Sequence, residues 1–164
     1  MTLAFDPIEE AGRNWDAHGW GATDAMTAAT AITRAHQIVQ SRIDAALAPL
    51  DLNFSRFEVL ALLSFTRAGE LPMGKIGDRL QVHAASVTNT IQRLEASGFV
   101  ERVAHPADGR AVLARLLPDG RAVARDAAEA LAVIDFGVEG LAAATRGRVH
   151  RDLTAFRRAN GDFS

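Results

Sequence analysis

Residues 86–110, SVTNTIQRLEASGFVERVAHPADGR, decide the fold. Val87, Ile91 and Leu94 recur at the spacing of one helical face, and Gly98 ends that helix by supplying a left-handed C-cap. Phe99-Val100 then opens an extended run: VERVAHP leads to Ala107-Asp108-Gly109-Arg110, and AVLARLL returns as a second β-compatible stretch. This pattern predicts a hairpin with Asp-Gly at its bend. Just upstream, LPMGKIGDRL (71–80) places Met73, Ile76 and Leu80 at helical spacing, and Gln81-Val82-His83 separates it from the next helix. Two short helices across a tight turn, followed by a hairpin, make a helix-turn-helix with a β wing.

The polar side of the second helix carries Ser86, Thr88, Asn89, Thr90, Gln92 and Arg93. A merely solvated helix is richer in Glu and Lys, whereas short Ser, Thr and Asn side chains approach phosphates and base edges closely. The competing reading is that these residues bond locally to their own backbone. His83, at the start of this helix, either caps it or faces a phosphate. Arg102, His105 and Arg110 project from the hairpin, where a guanidinium at the tip can enter the minor groove while the helix lies in the major one. Asp108 either forms a plain surface pair with Arg110 or steadies its fork for that contact.

The chain of 164 residues carries 18 Lys+Arg against 20 Asp+Glu and is 48% hydrophobic, which suits one domain with its own core. Residues 1–30 hold five acids against Arg13 alone, while residues 72–115 hold six cations against four acids, so basic surface concentrates around the helix-turn-helix. The absence of Cys excludes thiol chemistry, disulfide scaffolds and Cys-ligated zinc. A short amphipathic piece is predicted around Ile8–Trp15, within an N-terminal extension of residues 1–23. A long helix follows from Asp24, as N-cap, to Leu47, with Ile32, Ala35, Val39, Ile43 and Ala46 as its stripe and Pro49 as its stop. Another starts at Asn53 or Ser55 and ends near Arg67. After the wing, a helix begins at Pro118 and breaks at Phe136-Gly137, and a last one runs from Val138 or Glu139 through Ala159. The fold class is therefore mainly α with a small β wing (α+β), with residues 24–160 forming a single domain.

The opening MTLAFDPIEE has acids where a secretory signal needs positive charge, and no apolar run is long enough for a membrane span; the expected location is the cytoplasm. HExxH, GxSxG and the dinucleotide fingerprint do not occur, and GELPMGKIG lacks the spacing of a phosphate loop. His18, His36, His83, His105 and His150 lack paired ligand spacing. No enzyme activity, metal or cofactor is expected.

From about Thr27 to Arg158 the sequence resembles the MarR family of winged helix-turn-helix regulators. The most specific part is residues 86–110, which look like that family's recognition helix, its Leu-Glu-x-x-Gly-hydrophobic-Val-x-Arg junction and its Pro-x-Asp-x-Arg wing. The resemblance places Ser86, Thr88, Asn89 and Arg93 in the recognition helix, Arg110 at the wing position that reaches the minor groove, and Asp108 as the acid that steadies it. Two departures stand out: Gly109 replaces another Arg or a bulkier residue, and Leu117-Pro118-Asp119-Gly120 replaces the usual Leu-Thr-x-x-Gly, removing a hydroxyl cap. The resemblance further implies that residues 24–50 and 118–160 are dimerisation helices flanking a winged DNA-binding lobe at 53–117. A homodimer on a palindromic duplex follows, because one short helix offers few contacts and two-fold symmetry doubles them. Arg146, Arg148, Arg151, Arg157 and Arg158 are expected on a solvated face that also pairs with the acidic N-terminus of either subunit, or against backbone phosphates. A small aromatic or anionic effector is implied between the dimerisation helices and the lobe, with Trp15, Trp20, Arg34 and His36 as candidate contacts; alternatively the tryptophans pin the extension across the dimer. The expected function is a sequence-specific dimeric DNA-binding repressor modulated by a small molecule. The alternative is a winged-helix module that binds protein or ligand without reading DNA sequence.

Overall fold

The helix that the 87–94 period predicts forms over Ala84–Ala96, with Val87, Ile91 and Leu94 all buried. Burial of each such aliphatic side chain contributes about 1.5–3 kcal/mol, enough to fix the rotation of the helix about its axis. The structure, a computed structural model, describes residues 3–163, and for residues 108–110 the backbone alone. In chain order the helices are α1 (Pro7–Ala17), α2 (Thr23–Leu47), α3 (Phe54–Ser64), α4 (Met73–Leu80), α5 (Ala84–Ala96), α6 (Pro118–Val133) and α7 (Ala143–Ala159). The strands are β1 (Glu70–Pro72), β2 (Val100–His105) and β3 (Asp108–Leu116). The chain divides into two compact units, Met1–Ser41 and Arg42–Ser164.

In the first unit, Asp6 caps α1 by accepting from the Ile8 N–H at 2.8 Å, with Pro7 preset for the first turn. Gly12 is buried against α2, where an added Cβ would lie 3.0 Å from the Thr27 methyl, so α1 and the start of α2 pack closely because position 12 has no side chain. Asp24 was expected as the cap of α2. Instead the helix begins at Thr23, whose hydroxyl donates to the Asp16 carboxylate, and Asp24 sits in the first turn, where its charge opposes the exposed N–H groups.

The second unit holds the hydrophobic core. Ile43 and Leu47 at the end of α2 join Phe57, Leu60 and Leu63 of α3, Ile76 of α4, the α5 stripe and Ala124, Ala127 and Leu131 of α6. Asn53 caps α3 through the Arg56 N–H, and Asp44 accepts from the Phe54 N–H at 3.0 Å, tying α2 to the start of the lobe. The helix ends at Ser64, short of the expected Arg67, and the chain turns through Gly69 at φ +70°. This turn makes room for β1, a three-residue strand that sequence periodicity missed because it is too short to alternate and ends on Pro72. The sheet order is β1-β3-β2, both pairings antiparallel.

The bend of the wing also differs from expectation. His105 pairs with Asp108, so Pro106-Ala107 form the turn and Asp108-Gly109 already belong to β3. Pro106 presets φ for a turn and lacks an N–H to give to a ladder, which favours it over Asp-Gly as the corner. After the sheet, Leu117 is the N-cap residue of α6 without a side-chain cap bond, and Pro118 opens the helix. At Gly120 a Cβ would overlap the Phe99 carbonyl oxygen and lie 2.8 Å from its carbon; this closeness seats α6 on the start of the wing. The last helix starts at Ala143, five residues later than Val138. Gly137 at φ +78° and the Leu141 N–H to Val138 oxygen bond hold residues 138–142 in turns instead.

Candidate nucleic-acid interface

The turn between α4 and α5 sets the direction of the candidate recognition helix. Gln81 ends α4 in the left-handed conformation (φ 55°, ψ 42°), and the Val82 N–H returns to the Gly77 carbonyl at 3.1 Å. A side chain in that conformation costs about 1–2 kcal/mol, a position glycine usually fills. Gly77 lets the two helices close: a Cβ there would sit 3.2 Å from the Val82 carbonyl and 3.4 Å from a Val87 methyl. His83 is the N-cap residue of α5, but its side chain makes no cap hydrogen bond, which sets aside the capping role and leaves it exposed.

With Val87, Ile91 and Leu94 turned inward, Ser86, Thr88, Asn89, Gln92 and Arg93 are exposed. The Thr88 hydroxyl donates back to the Ala84 carbonyl at 3.0 Å, the local bonding that the sequence left open for this face. Among the described residues no hydrogen bond or ion pair engages the side chains of Ser86, Asn89, Gln92 or Arg93. Thr90 lies apart from them. It is half-buried and, with Ser86, lines a cleft of about 300 Å³ against Ser55 and Glu58 of α3. Burial there pushes the Glu58 carboxyl above the usual glutamate range.

On the wing, Arg102 is committed to the fold. Its guanidinium binds Glu95 of α5 at 2.6 and 2.8 Å, and its backbone N–H donates to the same carboxylate at 3.2 Å. The bonds hold the Glu95 carboxyl below its ordinary range and fasten the first wing strand to the end of the helix. Arg115 bridges Glu70 and Glu101 at 2.8 and 3.2 Å across the three strands. The His105 ring accepts from the Ala107 N–H at 3.2 Å within the turn. The side chains of Asp108 and Arg110 lie outside the described residues, so their pairing and the minor-groove role of Arg110 stand as sequence expectations.

The effector candidates do not converge. Trp15 and Trp20 pack edge to face at 4.9 Å, and the Trp15 indole donates to the Gly21 carbonyl at 3.0 Å, so the pair closes the corner between α1 and α2. Arg34 bonds Gln37 and lines an open groove of about 900 Å³ with Leu3, Phe5 and Ile8, whereas His36 does not reach it. Of the α7 arginines, Arg146 pairs with Asp135 at 2.6 Å and Arg157 with Asp162 at 2.5 Å. Among the described residues no group of three His, Asp or Glu is placed to hold a metal, and no helix is long and apolar enough to cross a membrane.

A helix-turn-helix whose second helix leads directly into a three-stranded wing defines a winged helix-turn-helix protein. Residues 52–112 match the MarR family. The Streptomyces coelicolor protein Sco5413, a MarR family transcriptional regulator, superposes with a TM-score of 0.81 at 43% identity, over 87% of this chain and 99% of that one. The chain therefore belongs to the MarR family. A mutant MarR of Escherichia coli, solved in complex with operator DNA, shares the fold with a TM-score of 0.70 at 24% identity, over 78% of this chain and 91% of that one. The multiple antibiotic resistance protein MarR of Salmonella typhimurium is 36% identical over 77 residues, 47% of this chain. The match spans about half the length of that relative, 52%.

Proposed function

We propose that the protein is a homodimeric, sequence-specific DNA-binding regulator of the cytoplasm that lays α5 in the major groove and the β2–β3 hairpin beside it. The observation that carries this reading is the outward face of α5, where four exposed polar side chains have no partner among the described residues. Ser, Asn, Gln and Arg offer the donors and acceptors that base edges and phosphates require, and a rigid helix already ordered by its buried stripe loses little entropy in using them. The Arg102–Glu95 pair supports the same reading, because it fixes the wing to the helix so that both dock as one body.

Pairing of two copies is supported by apolar residues that the single chain leaves uncovered. Among them are Ile32 and Ile38 of α2 and Val149, Leu153 and Phe156 of α7, a helix with no buried residue of its own. A second copy would cover them and double the DNA contacts on a palindromic site with half-sites about 34–36 Å apart. Repression by occupancy fits a regulator of this size, and a small aromatic or anionic effector acts by favouring one spacing of the two α5 helices over the other. The groove beside Arg34 sets that cation, with the Asp6 carboxylate also in the lining, next to the apolar Leu3, Phe5 and Ile8, which suits an aromatic molecule.

Selection of bound fragments from random duplex DNA at near-physiological salt tests the reading, since salt-sensitive phosphate attraction alone imitates recognition. An enriched palindrome with half-sites one helical turn apart is the expected result. A folded, dimeric sample that enriches no sequence refutes it and shifts the reading to a winged-helix module that binds protein or ligand only.

A further inference from the structure

Gln81 is a long side chain at a position whose backbone favours glycine, and the chain puts that side chain to use 81 residues away. Its amide nitrogen donates to the Asp162 carboxylate at 2.7 Å and to the Asp162 backbone carbonyl at 3.0 Å. Asp162 is itself held in place. Beyond α7, Gly161 turns the chain at φ +73°, the Asp162 N–H returns to the Arg157 carbonyl at 3.1 Å, and the second carboxylate oxygen accepts from Arg157 at 2.5 Å. The guanidinium groups of Arg157 and Arg158 lie over the Phe163 ring, at 5.3 and 5.2 Å from its centroid, which adds cation–π attraction to the segment. Residues 160–163 thus form a preorganised hook that ends on the helix-turn-helix turn.

We propose that Asp162 and Gln81 are positioning residues that set the orientation of α5 relative to α7, and through α7 the spacing of the two recognition helices in the dimer. The inference rests on the DNA-binding reading above. Its physical basis is leverage. Within one chain α7 buries none of its own residues, so the polar ties at its two ends, Arg146 to Asp135 and the hook to Gln81, join it to the rest of its unit. The hook acts on the turn, not on the buried stripe, so it steers the head without being needed for its folding. Gly in place of Gln81 would relieve the left-handed backbone and keep the turn, yet remove the tie.

Two measurements decide the matter. Hydrogen exchange needs no DNA: in the dimer, Asp162→Ala and Gln81→Gly are expected to speed exchange of the amides at residues 81–84 several-fold relative to those of β2. Unchanged exchange in both variants overturns the hook. The second uses duplexes carrying the selected half-sites at altered separations. Gln81→Gly is expected to keep or raise Tm, to lose roughly 3- to 10-fold in affinity at the preferred spacing, and to tolerate spacings one or two base pairs off better than the parent does. The double variant should lose no more than either single one. Unchanged spacing preference overturns the positioning role even if exchange changes. If the parent protein selects no sequence at all, the DNA-binding reading fails separately and the positioning role falls with it, while exchange still decides whether the hook forms.

Discussion

Asn89→Ala and Ile91→Ala, two residues apart on α5, should separate reading from folding. Asn89 is exposed and has no partner among the described residues, so its truncation is expected to leave stability within about 0.5 kcal/mol of the parent. If it reads a base edge, each half-site loses about 1–3 kcal/mol. A symmetric dimer carries the change twice, and at about 1.4 kcal/mol per factor of ten the affinity for a palindrome should fall by about 30-fold or more. The loss should be confined to specific sites, with non-specific binding and its salt slope unchanged, because Asn carries no charge to release a counterion. Ile91 is fully buried, and its replacement by Ala should cost about 2–5 kcal/mol of stability. Fluorescence-anisotropy titrations against selected and scrambled duplexes, run beside thermal melting, measure both quantities. If Asn89→Ala leaves affinity and sequence preference intact, the outward face of α5 does not read bases and the functional reading is wrong.

Other expectations concern the frame around that helix. Gly120→Ala should destabilise by about 1–3 kcal/mol, since α6 and the Phe99 carbonyl leave no room for a methyl, and Tm should drop by roughly 2–4 °C for each kcal/mol; an unchanged melt would show that α6 can shift freely. Glu58→Gln should raise Tm at pH 7 but not at pH 4. Burial raises the folded-state pKa of Glu58, so the native state binds its proton more tightly than the unfolded chain; stability is full below the unfolded pKa and lost as pH rises through the folded one. An equal gain at both pH values would locate the effect elsewhere than in the charge. Phe156→Asp places a charge in the exposed apolar stripe of α7 and should convert the dimer to monomer on size-exclusion chromatography; a dimer that persists would mean that α7 is not the contact.

The sequence alone determined the reading head. Val87, Ile91 and Leu94 at helical spacing, Gly98 as a left-handed stop and the paired β runs after it dictate a helix followed by a wing, because each signal is local and all agree. It also gave the helices, with ends uncertain by a few residues where Gly and turn hydrogen bonds compete, as before α7. What tertiary structure alone decided are the pairings between distant residues. β1 exists because β3 offers it a ladder, and Pro106-Ala107 rather than Asp108-Gly109 form the bend because the β2–β3 ladder shifts register between Ala104 and His105. Arg102, expected to face DNA, turns to Glu95, and Thr90 turns to the cleft at Glu58, since position around a packed helix and not residue type sets which partner lies within reach. No spacing rule connects Gln81 with Asp162: an exposed amide and a carboxylate far apart in the chain acquire meaning only when the fold brings the end of α7 to the turn between α4 and α5.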